Sequence, residues 1–154
     1  MGKFWLAVLT VVCIASTANG GERPFAEEWE IYRGFLIEPA CGQSSDKAKC
    51  EVALDRWRRD FRWATDTSFH NQLIGQRNIA LCLASSCDGV KPNQLLACAW
   101  AEVILNSGDP KISGEDVAFK QDTCASLSVG ERKVASAQAT RLLNMLTGSI
   151  QTAR

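Results

Sequence analysis

Six of the seven cysteines in this 154-residue chain lie behind a short apolar leader, and that placement constrains the fold more than any other feature. Phe4 to Ile14 is almost unbroken apolar sequence opened by Lys3; it is too short to span a bilayer, and small residues follow it. Residues 1–18 therefore read as a signal peptide, with cleavage after Ala18 preferred to cleavage after Gly20. Cys13 leaves with that segment; the preceding Thr10-Val11-Val12 lacks the small residue that a lipid-attachment signal places just before its cysteine. What remains is an even set: Cys41, Cys50, Cys82, Cys87, Cys98 and Cys124. Behind an export signal, an even set is the pattern of thiols oxidised in a periplasm or outside the cell. The expected location is periplasmic or secreted, and the expected fold is disulfide-stabilised.

Spacing suggests pairings but leaves the connectivity open. Cys41 and Cys50 flank the turn-rich Gly42-Gln43-Ser44-Ser45 and can clamp a helix entrance. Cys82 and Cys87 flank Ser85-Ser86 at a helix end, and Cys98 and Cys124 then pair by elimination across two helices. Zinc is the rival for these sulfurs, but His70 is the sole histidine and no C-x-x-C pair exists, so no metal site is expected.

Lys+Arg and Asp+Glu number 17 each, and losing Lys3 with the leader leaves a net charge of about −1. That balance argues against adhesion to nucleic acid or to a membrane surface. Hydrophobic residues at 46% and charged residues at 22% fit neither a disordered tail nor a multi-span membrane protein. The expectation is one all-α domain over residues 19–154, with amino-terminal helices in 24–65 and a second helical region in 66–147.

From Pro24 onward the punctuation is helical, with no convincing alternating strand. Ala26 to Ile37 reads as an opening helix stopped by Pro39, with Trp29, Tyr32 and Phe35 sealing one end of the core. Ser44 or Ser45 is expected to cap a second helix whose Cys50, Leu54, Trp57, Phe61 and Ala64 line one face. Its other face carries Arg56, Arg58, Arg59 and Arg62 interleaved with Asp55, Asp60 and Asp66, which reads as a solvated surface with pairs such as Asp55 and Arg59. A third helix is expected from Asp66 or Thr67 to about Ser85, burying Phe69, Leu73, Ala80 and Leu83, with Ile74 and Leu81 widening the stripe. Gly89 can turn the chain, and Pro92 presets the first turn of the next helix. That fourth helix, Gln94 to Asn106, is apolar nearly all round and is expected at the centre, with Trp100 in the core. Ser113 with Asp116, and Ser128 with Glu131, resemble capping boxes for two further helices. The last presents Ala135, Ala139, Leu142 and Leu146, and Gly148 is expected to end it.

Cys87-Asp88-Gly89-Val90-Lys91-Pro92-Asn93, then Ala97-Cys98-Ala99-Trp100 and Asn106-Ser107-Gly108, resembles the middle of a Sel-one-like repeat, of the tetratricopeptide-like helical-hairpin class. In such a repeat a glycine-valine turn (here Gly89 and Val90) joins two helices, and an alanine and a tryptophan three residues on (here Ala97 and Trp100) anchor the second. Gln121-Asp122, Leu127-Ser128 and Ala135 to Leu142 resemble the helices that follow the last repeat in bacterial members, so the likeness covers residues 72–147. Leu81, Ala84 and Cys87 depart from the repeat, which has a glycine, an aromatic and a glycine there. The resemblance implies an interaction scaffold with a protein partner, rather than an enzyme.

Catalytic readings lack parts. No Gly-x-Ser-x-Gly elbow, phosphate loop, His-Glu-x-x-His or cofactor box is present. Glu27, Glu28 and Glu30 read as a solvated face. No catalytic residue and no cofactor is expected. An enzyme would need His70 to meet Asp66 or Glu102 in a cleft. A concave groove between the third and fourth helices favours the scaffold; a protruding aromatic loop around Glu27 to Tyr32 would favour the alternative, a small exported inhibitor or immunity protein of an envelope enzyme.

Overall fold

The computed structural model describes residue 41 and residues 46–66, 71–87 and 90–152. The leader, the helix expected over Ala26 to Ile37 with Trp29, Tyr32 and Phe35, the carboxylates Glu27, Glu28 and Glu30, the Gly42 to Ser45 turn, Phe69, His70 and Gly89 lie outside those residues. The described residues hold five helices and no strand: α1 (Lys47–Thr65), α2 (Gln72–Ser85), α3 (Gln94–Asn106), α4 (Gly114–Ala125) and α5 (Val129–Thr152). Cys87 and Val90 form an isolated antiparallel bridge.

α1 starts one residue later than a serine cap would have it. Asp46 is the cap, its carboxylate accepting the Lys49 N–H at 2.9 Å, and its charge suits the positive end of the helix. Cys50, Trp57, Phe61 and Ala64 are buried as their spacing predicts, but Leu54 is only half-buried. Asp60, expected on the solvated face, shares the buried one because it stands three residues after Trp57.

α2 begins at Gln72, later than expected, because Asp66 closes α1 instead of opening α2; its N–H bonds the Trp63 carbonyl and its backbone is extended. Leu73, Ile79, Ala80, Cys82 and Leu83 are buried, whereas Ile74 and Leu81 are 46% and 50% exposed. α1 covers one side of α2 and α3 another. Ile74 and Leu81 lie in the wedge that neither covers, so the apolar stripe is wider than the surface available to bury it.

α3 is capped by Asn93, whose side chain accepts the Leu96 N–H at 3.0 Å. Pro92 therefore stands ahead of the cap, not in the first turn. α2, α4 and α5 all pack on α3, which is why an all-round apolar helix is stable there. Ala97 and Trp100 are fully buried, and Val90 of the same motif is 2% exposed. The two capping boxes form: Ser113 with Asp116 opens α4, and Ser128 with Glu131 opens α5. α5 buries Ala135, Ala139, Leu142 and Leu146 and runs through Gly148 to Thr152. A glycine with ordinary helical backbone costs a helix only about 1 kcal/mol, too little to stop one of this length.

Cross-links give the directions. Cys82 bonds Cys87 at the end of α2, and Asn93 N–H bonds the Leu83 carbonyl at 2.7 Å, so α2 and α3 run antiparallel. Cys98 bonds Cys124, Gln94 Nε2 donates to the Thr123 carbonyl at 2.9 Å, and Lys120 Nζ lies 3.7 Å from Glu102; α4 therefore runs back along α3. Ser136 donates to Glu102 at 2.9 Å and α5 returns parallel to α3. Cys41 and Cys50, the third pair, tie the start of α1 to the chain before it. These are the three pairs that spacing favours.

Candidate functional site

The antiparallel crossing of α1 and α2 leaves a cleft of about 410 Å³, within the roughly 300–1,000 Å³ range of small-molecule sites. From α1 it takes Ala53, Arg56, Trp57 and Asp60; from α2 and its end it takes Asn78, Leu81, Cys82, Ser85, Ser86 and Cys87. The crossing sets this composition. α1 presents Ala53, Arg56, Trp57 and Asp60 at steps of three, one and three, which share one side of a helix. Asp60 is nearly buried and is held by Arg59, whose Nε and Nη2 reach its Oδ1 at 3.3 and 3.1 Å. Arg59 also lies over the Trp63 ring, 4.9 Å from its centroid. The expected Asp55 to Arg59 pairing is thus replaced, and Arg58 is the arginine found near Asp55, at 3.6 Å.

A second cleft of about 220 Å³ lies on the other side of Leu81, between α2, α3 and α4, lined by Arg77, Leu81, Ile104, Glu115, Asp116 and Phe119. Only Ile104 of α3 lines it, so it is chiefly a cleft between α2 and α4 and not the groove expected between α2 and α3. Its floor is a fork of hydrogen bonds: Arg77 Nε donates to Asp116 Oδ1 at 2.7 Å and Nη2 to Oδ2 at 2.6 Å, while Nη2 also meets the Lys111 carbonyl at 3.1 Å. Asp116 Oδ2 accepts the Ser113 N–H at 2.8 Å as well. One carboxylate thereby caps α4 and ties it to α2.

The Arg77 hydrogen bond holds the Asp116 carboxyl below the usual carboxylate range against the opposing effect of burial, with the Ser113 N–H adding to the depression. The same bond raises the Arg77 guanidinium. A depressed carboxyl stabilises the fold above its unfolded-state pKa, and that contribution fades as pH falls through the folded value. Asp116→Asn should lower stability at pH 7 by about 1–2 kcal/mol, a charge-assisted pair discounted because the Arg77 side chain is a third exposed. Urea titrations of both proteins from pH 7 downward should show that gap closing below the ordinary carboxylate range. A gap independent of pH would contradict the assignment.

Trp100 is fully buried and lies in the core, as its place in the all-round apolar helix predicts. Asp66 is exposed at the end of α1 and Glu102 is engaged by Lys120 and Ser136 on α3; His70 lies outside the described residues. Cys98, Glu102 and Cys124 bring their ligand-type atoms within 4.8 Å of one another. Both sulfurs are joined in a disulfide, so the thiolates that zinc requires are not formed there. Among the described residues no helix is long and apolar enough to cross a membrane. The Arg77–Asp116 fork is not legible in the sequence because its two residues meet only across distant helices, and the burial of Asp60 is not legible because it depends on how α1 packs. Comparison of the chain with protein-family models, curated proteins and solved structures returns no match.

Proposed function

We propose that the chain is an exported protein-interaction module, of the Sel-one-like helical-hairpin kind, acting in the periplasm or outside the cell. The observation that carries this is the outer face of α2: Leu81 is half exposed and lines both clefts, forming a ridge with a depression on either side. Isolated exposed leucines are ordinary, but one that divides two concavities offers a partner two pockets and an apolar ridge in a single contact. Ile74, two turns earlier on the same helix, extends the ridge. Disulfides between every described cysteine pair support the oxidising location. The partner is a protein presenting apolar side chains, with no role for nucleic acid.

Affinity capture from envelope extract tests this, using the oxidised protein, its Leu81→Asp variant and a reduced, alkylated control. Leu81 is half exposed, so the variant should keep its melting temperature within a few degrees. The expected result is a reproducible partner held by the oxidised protein and depleted at least about tenfold by Leu81→Asp, since a charge at a buried contact costs more than 1.4 kcal/mol. Recovery of the same proteins by all three baits would sink the proposal.

A further inference from the structure

The three disulfides are not equally approachable. Cys98 and Cys124 are 0% and 6% exposed; in the third pair Cys50 is 3% exposed and Cys41 is half-buried, less open than Cys87. Cys82 is nearly buried too, but its partner Cys87 is the one exposed cysteine of the six, and both form part of the α1/α2 cleft wall. Exchange of a disulfide requires a thiolate to reach one sulfur, so access sets which pair reacts.

Charge points the same way. Arg56 stands in the cleft wall opposite the bridge, while Asp60 in the same wall already has Arg59 on its carboxylate. An entering anion therefore meets a guanidinium not matched by a free carboxylate of that wall. At Cys98–Cys124 the neighbouring charges, Glu102 and Lys120, are already paired with each other, and both sulfurs are buried. The cleft's size suits a small peptide-like or amino-acid-like thiol.

We propose that Cys82–Cys87 is a thiol-exchange site, and that its co-reactant is a small thiol bearing a carboxylate. The carboxylate seats on Arg56 and the thiolate attacks Cys87 Sγ. A new S–S bond forms there, the Cys82–Cys87 bond breaks, and Cys82 leaves as a thiolate that takes a proton from water. The entering sulfur is oxidised and Cys82 is reduced, so no further oxidant or reductant enters. The product carries a mixed disulfide on Cys87, inside the cleft. This inference stands on the bridge and the cleft, independently of any protein partner.

The test treats the oxidised full chain with limiting reduced glutathione, quenches by alkylation and reads each cysteine by peptide mass spectrometry. The glutathione adduct should appear on Cys87 with alkylated Cys82, at least about ten times faster than any label at Cys98 or Cys124. Arg56→Glu should slow glutathione about three- to tenfold while leaving cysteamine, a cationic thiol, unslowed. Arg56 is exposed, so an unchanged melting temperature verifies that the variant is folded. Earlier reaction at Cys41–Cys50 or Cys98–Cys124 overturns the proposal. So does an adduct on Cys82, or equal slowing of both thiols by Arg56→Glu.

Discussion

Replacing Gly75 with alanine should destabilise the protein by at least about 3 kcal/mol, at or beyond the upper end of overpacking penalties. A β-carbon there would stand 2.3 Å from the Ala64 amide nitrogen, 2.5 Å from the Asp60 carbonyl oxygen and 2.7 Å from Trp63 Cβ. Two of these three are backbone atoms, so no rotamer change relieves the clash; α1 and α2 must separate. Separation also loosens the contacts of Phe61, Ala64 and Leu73 and stretches the 3.4 Å hydrogen bond from Gln76 Nε2 to the Ala64 carbonyl. Helix propensity acts in the opposite direction, since alanine is better than glycine by about 1 kcal/mol in a helix interior. Gly148 isolates that smaller effect, because it lies within α5 and nothing would stand within 4 Å of its β-carbon. Chemical denaturation should therefore give opposite signs: a large loss for Gly75→Ala and a gain of up to about 1 kcal/mol for Gly148→Ala. Equal shifts for the two variants would mean that α1 and α2 do not cross at Gly75. The cleft would then lose its basis, because that crossing sets its width.

Gly75 also shows where sequence reading stops. A glycine inside a helix reads the same whether it faces solvent or a neighbouring backbone, and only the packed partner tells the two apart. Capping boxes behave differently: Ser113 with Asp116 and Ser128 with Glu131 are complete within four residues, so they are legible and they form. The central place of α3 is legible for a related reason, because a helix apolar on every side has nowhere else to go. What fails is allotment of a face to a neighbour. Ile74 and Leu81 have the period of core residues, yet α1 and α3 together cover only part of α2. Asp60 sits among arginines and reads as solvated, but the helix turns it toward α2. The candidate site is built from these misallotments. An apolar residue left outside and a carboxylate drawn inside are what give the clefts their ridge and their polar wall. Arg77 and Asp116, which floor the smaller cleft, are far apart in sequence and meet only once α4 has folded back along α3.

Removing the Cys98–Cys124 bridge should cost roughly 3.5 kcal/mol, from loop-closure entropy at the observed separation of 26 residues. Cys82–Cys87, separated by 5, should cost only about 2 kcal/mol in the same account. Alanine is the right replacement for both buried sulfurs, because a serine hydroxyl within this apolar core would leave a buried polar group to satisfy. The longer bridge also holds α4 where Gln94 can reach the Thr123 carbonyl and Lys120 can reach Glu102, so its loss should weaken those contacts together. A double Cys98→Ala, Cys124→Ala variant should melt on the order of 15 °C below the parent. The double Cys82→Ala, Cys87→Ala variant should fall by little more than half as much. Full reduction of the parent should lower its melting temperature at least as far as the first variant does, because it releases that bridge along with the others. If instead the first variant melts with the parent, α3 and α4 hold together by packing alone. The bridge would then be incidental to the fold, a mark of the oxidising compartment and not a source of stability.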